Sequence, residues 1–112
     1  MKRIQRKRTK GFKLPENTVC VNRGTKWGNP FKIEGKTTRH VACEMFENCI
    51  LNNAMVYRYF IDHEEAKTQF VRFKWMAKNI HTLKDKNLAC FCKEQDECHA
   101  DILLKLENDR RS

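Results

Sequence analysis

A chain of 112 residues, 40% of them hydrophobic, has material for one domain with one modest core and not for two. Its net charge of +9 is uneven: seven basic side chains and no acid lie within residues 1–13, so the remainder nets only +2. No run approaches the roughly 20 apolar residues of a membrane helix, and the opening MKRIQRKRTKGFK lacks the apolar stretch of a signal peptide. The expectation is a single cytoplasmic domain over 1–112 with no membrane partner, its six cysteines reduced or metal-bound rather than paired in disulfides.

The elements follow in chain order. TVCVN, residues 18–22, is short, β-branched and bounded by Pro15 and Gly24, which predicts a strand. A turn-rich loop follows, RGTKWGNPFKIEGK. From Thr38 the apolar positions Ala42, Met45, Phe46, Cys49 and Ile50 recur at three and four, one face of a helix capped by Thr37 or Thr38. NNAMVYRYFID reads equally as a helix end or a short strand. Asp62 and Glu65 have the spacing of a capping box before a helix with the stripe Ala66, Phe70, Phe73, Ala77 and Ile80, and with Lys67, Arg72, Lys74 and Lys78 on its other face. KNLACFC, residues 86–92, predicts a buried strand, and CHADILLKLEN a closing helix with Ile102, Leu103 and Leu106 inward. Strand, helices, strand and helix together predict a small α/β domain, a short sheet with helices packed on it.

That order puts Cys98 and His99 at a helix start, where free N–H groups and the helix dipole favour an anion and lower a thiol's pKa. Cys98, or else Cys92 or Cys90, is therefore the candidate nucleophile, His99 the proton carrier and Asp101 its orienter or a helix-cap acid. Cys90, Cys92 and Cys98 are the candidate ligands of a zinc ion, against which two features count. Side chains two apart on a flat strand sit farther apart than zinc holds two sulfurs, so the strand would have to bend. The spacing C-x-C-x5-C-H also departs from the usual one, and the neighbours Cys98 and His99 do not easily face one ion together. Cys20, Cys43 and Cys49 lie on apolar faces and are expected to behave as small buried hydrophobes.

The second informative stretch is NRGTKWGNPFK, residues 22–32. Arg23 and Lys26 offer donors to an anion, Gly24 and Gly28 let backbone N–H groups approach a ligand, and Trp27 or Phe31 can stack on a base. With Asn29 these parts suit a nucleotide, although they match neither a Walker loop nor a dinucleotide fingerprint. The basic opening, with Arg3, Arg6, Arg8 and Lys10, is a contact for phosphates or else a solvated tail.

RIQRKRTKGFKLPENTVCVNRGTKWGNPF together with LACFCKEQDECHADILLKL resembles a small family of bacteria and their phages catalogued as domain of unknown function 4326. The signatures that carry the resemblance are the KWGNPF turn and the C-x-C…CHAD segment, and it is thinnest around NNAMVYRYFIDHEE. The resemblance implies that the opening, with Arg3, Arg6, Arg8, Lys10 and Gly11, is part of the folded site, and that Phe91 stands where the family usually has tryptophan. It implies no reaction. Function must come from the site. The best-supported expectation is a module binding a nucleic acid or nucleotide through the basic segment, the Gly/Trp loop and the Cys–His helix start. The alternatives are a small enzyme acting on a nucleotide or base, with a cysteine nucleophile or Cys/His-bound zinc, and an inhibitor of a host protein, in either case in the cytoplasm of the producing or infected cell.

Overall fold

The short apolar runs of the chain pair around one central strand. In a computed structural model, which describes residues 2–110, β1 (Arg3–Gln5), β2 (Thr18–Cys20) and β3 (Asn87–Cys90) form a sheet of order β1-β3-β2 with both pairings parallel. Ile4 lies opposite Ala89 on one edge and Val19 opposite Leu88 on the other. Leu88, Ala89 and Cys90 are at most 1% exposed, as suits a central parallel strand covered by its crossovers. A parallel pair needs a connection of a dozen or more residues. Helices fill that connection between β2 and β3, whereas residues 6–17 join β1 to β2 without one.

Helix α1 (Arg39–Leu51) starts at Thr38, whose hydroxyl accepts a hydrogen bond from the Val41 N–H at 3.2 Å. It buries Ala42, Cys43, Phe46, Cys49 and Ile50, the face its spacing predicts. Asn52 ends the helix in an extended conformation and caps the next turn by accepting from the Ala54 N–H. The ambiguous segment accordingly becomes a 3-10 turn (Asn53–Met55) and the one-turn helix α2 (Val56–Tyr59), not a strand.

Asp62 caps α3 (His63–Asn79) by accepting from the Glu64 N–H at 2.9 Å, while Glu65 turns away from a capping box to accept from Gln69. Ala66, Phe73 and Met76 are buried and Lys67, Lys74 and Lys78 are exposed. Arg72 departs from the expected basic face. Its guanidinium donates to the Gly28 carbonyl at 2.8 Å and to Gln69 at 2.7 Å, and burial lowers its pKa. A 3-10 turn (Ile80–Leu83) leads to β3, and α4 (His99–Arg110) closes the described chain with Leu103 buried and Ile102 and Leu106 half-buried. The architecture is the expected α/β class. Among the described residues, no helix is long and apolar enough to cross a membrane.

Aromatic side chains fill the space between α1, α2 and α3. Phe31 stacks on Phe60 at 5.1 Å and meets the edge of Tyr59 at 5.4 Å. Cys43 and Cys49 are buried as expected, but Cys20 at the end of β2 is only half-buried. Burial pushes the Cys49 thiol from 9.0 up to about 12. Raising an acid's pKa in the folded state means that its stability contribution is complete below pH 9 and is lost as pH climbs towards 12. The expected loss is at most about 1.4 kcal/mol per pH unit. Urea unfolding of the native chain and of Cys49→Val between pH 8 and 11 checks this: the native curve should fall more steeply, and parallel curves would contradict it.

Candidate functional site: a cationic cleft over three sulfurs

The C-terminal end of β3 is where the site begins. The strand stops at Cys90, the chain bends through Phe91 and Cys92, and a loop of residues 93–97 returns it to α4. Because of that bend, the Sγ atoms of Cys90, Cys92 and Cys98 all lie within 4.8 Å of one another. The flat-strand objection to a shared ion therefore falls. Four ligands arranged tetrahedrally at about 2.3 Å from zinc place sulfurs about 3.8 Å apart, a small adjustment of this arrangement. These three cysteines can hold a metal ion.

Hydrogen bonding divides the thiols unequally. Cys98 donates its S–H to Cys90 Sγ at 3.2 Å. That bond, followed by burial, pushes Cys98 up to about 11, and the same bond holds Cys90 below its usual value. Burial, followed by the Cys98 hydrogen bond, raises Cys92. The expectation of an acidic Cys98 is thus corrected. Although it stands directly before α4, it is 3% exposed and committed as a donor, which outweighs the helix-start field. Cys90 is the thiol whose anion the surroundings favour.

His99 is 5% exposed, with Phe46 edge-on at 5.2 Å. Its Nε2 hydrogen-bonds to the Val21 carbonyl, which only accepts, so Nε2 carries a hydrogen, and Nδ1 lies 3.7 Å from Cys98 Sγ. Asp101 does not orient His99. It pairs at 3.1 Å with Arg3, on the first turn of α4.

Arg3, expected to meet a ligand, is instead a clamp on the loop. Its guanidinium donates to the carbonyls of Asp96 at 2.7 Å, Lys93 at 3.1 Å and Glu94, besides its pair with Asp101. From the other side Arg39 donates to Cys92 Sγ at 3.7 Å and approaches Asp96 at 3.8 Å. His40 bonds Glu97, which with Glu44 raises the histidine's pKa.

Above the sulfurs opens a cleft of about 870 Å³. Its cationic wall is made by Arg6, Arg8, Arg23, Arg39 and Lys93, with Asp96 and Glu97 the acids among its lining residues. Arg6 and Arg8 lie over the Phe91 ring, 4.7 and 4.2 Å from its centre, and Arg6 also donates to Asn22 Oδ1 at 3.0 Å. Arg23 donates to the Asn29 and Phe31 carbonyls, which fixes the glycine loop against the cleft. The floor includes Cys90, Cys92, Cys98 and His99.

Other residues of the expected ligand loop do structural work. Trp27 is 6% exposed and packs on Trp75 at 4.9 Å, so its ring is core and not a stacking platform for a base. Gly28 is required by packing: a Cβ there would come 2.6 Å from the Arg23 carbonyl oxygen. Lys26 lies over Trp75, and neither it nor the exposed Lys10 lines the cleft. Asn29 is 3% exposed, accepting from the Phe31 N–H at 2.9 Å and donating to the Ala42 carbonyl at 3.1 Å. Asn29→Ala would strand both backbone groups and is expected to destabilise by about 2–4 kcal/mol. A denaturation midpoint unchanged in this variant would rule that out.

The arrangement missed in the sequence is Arg39, Asn22 and Phe91 around the cleft. Arg39 had a local signal, since it follows the α1 cap, but nothing local shows that it reaches Cys92.

A small α/β unit with a cationic cleft over a metal-capable sulfur cluster defines the class to which this chain belongs. Within that class, the chain is a member of the family described as a domain of unknown function (DUF4326), whose pattern matches residues 4–109. No curated protein and no solved structure matches it.

Proposed function

We propose that the protein binds a phosphate-bearing ligand, a nucleotide or a nucleic-acid segment, in this cleft, and that the three sulfurs beneath it hold zinc. The observation that carries the reading is the gathering of four arginines, Arg6, Arg8, Arg23 and Arg39, in the lining of one cleft beside the Phe91 ring. Guanidinium forks match phosphate oxygens two at a time, and Phe91 with its stacked arginines offers flat surface for a base. Sulfur-rich donor sets favour zinc over the harder divalent cations.

The test is fluorescence polarisation with a labelled single-stranded oligonucleotide and competition by a nucleotide across a salt series. Affinity is expected to fall steeply with salt, and Arg8→Ala to weaken binding and reduce the salt slope by about 1. Binding that ignores both salt and Arg8→Ala would sink the proposal.

The favoured thiolate of Cys90 in the floor of the cleft supports a second reading, an enzyme acting on the same ligand. Cys90→Ser would then abolish turnover while leaving oligonucleotide binding in place, whereas a simple binder shows no turnover even in the native chain.

A further inference from the structure

Zinc in proteins is either closed off by four protein ligands or keeps a position for water or substrate. We infer that the ion held by Cys90, Cys92 and Cys98 is of the second kind, with its fourth position open to the cleft and able to take a phosphate oxygen. This rests on the zinc reading above and adds to it the identity of the fourth ligand.

The neighbouring donors lie outside the three-sulfur group. Among the described residues, the group of donor atoms close enough to share one ion ends at the three sulfurs. His99 follows Cys98 directly, and its ring is pinned through Nε2 to the Val21 carbonyl, with Nδ1 held beside Cys98 Sγ. The Asp96 carboxylate is drawn to Arg39 and that of Glu97 to His40. Cys43 also borders the cleft from α1, but its sulfur lies outside the three-sulfur group. A tetrahedral ion on these three sulfurs keeps one position, and the open space beside the sulfurs is the cleft whose floor they form.

Charge supports the same ligand. Zinc with three thiolates carries one net negative charge and would by itself repel phosphate. Arg39, 3.7 Å from Cys92 Sγ, offsets that charge at the metal, while Arg6, Arg8 and Arg23 line the approach. The N-terminus of α4, whose Ala100 N–H donates to Cys98 Sγ at 3.5 Å, adds a positive field on the sulfur side. A phosphate is thus drawn in by the arginines and meets the metal with one oxygen.

The experiment uses the full chain, purified without a histidine tag and loaded with Co²⁺, whose visible absorption reports its coordination. Inorganic phosphate, a nucleoside monophosphate and the unphosphorylated nucleoside are titrated in turn. The expected result is one Co²⁺ per chain, a band shift that saturates with phosphate and with the monophosphate, and none with the nucleoside. Cys43→Ala and Cys43→Val should both keep the native spectrum. A spectrum that no phosphate moves, or that loses sulfur charge-transfer intensity in the Cys43 variants, overturns the open position and makes the site closed. Oligonucleotide binding alongside such a fixed spectrum would leave the cleft reading standing without this inference. Failure to take up Co²⁺ or Zn²⁺ under reducing conditions would remove the metal reading, and this inference with it.

Discussion

Replacing Phe46 by alanine is expected to cost about 3–5 kcal/mol. The ring is fully buried on α1, edge-on to Phe73 of α3 at 5.6 Å and to His99 of α4 at 5.2 Å. Phe46 thus joins three helices, so the void left behind opens on several sides and cannot close by moving one of them. A domain of this size has roughly 5–15 kcal/mol in total, so a large part of the stability goes with one ring. The His99 ring would lose a wall, and the sulfur cluster beside it should loosen as well. Urea denaturation gives the first effect and metal retention the second. A cost under about 1 kcal/mol would mean that α1 and α4 are held together by other contacts.

The second large effect is expected at the sulfurs. Cys90→Ser should lower zinc affinity more than the roughly 10–100-fold that loss of an outer partner of a metal site costs, because it removes a ligand outright. Arg39→Ala, which touches Cys92 without being a ligand, should fall within that range. Metal content after dialysis against a graded chelator series orders the variants: native highest, Arg39→Ala between, Cys90→Ser lowest. Equal retention in all three would mean that zinc binds elsewhere or not at all. The wall of the cleft gives an internal control, since Arg8→Ala lies on the Phe91 ring and should leave zinc retention unchanged while oligonucleotide binding weakens.

Local pattern was enough to find α1, α3, β3 and α4, because three-four periodicity, a capping Thr38 or Asp62 and a short apolar run act on neighbours in the chain. The sequence by itself also determined that Cys98 and His99 stand at a helix start and that charge is concentrated in the opening. Strand β1 has no such local mark. Arg3, Ile4 and Gln5 are extended because β3 offers them a free edge some eighty residues away. The same dependence on distant partners separates the arginines. Arg3 and Arg72 are spent on backbone carbonyls while Arg6 and Arg8 reach the cleft, and composition treats all four alike. Trp27 goes to the core because Trp75 of α3 meets its ring there, and Cys98 keeps its proton because Cys90 lies at the other end of its hydrogen bond. Only the tertiary structure decided these assignments, because burial, charge pairing and metal geometry depend on distances between residues far apart in sequence, and such distances are set when the sheet and helices pack.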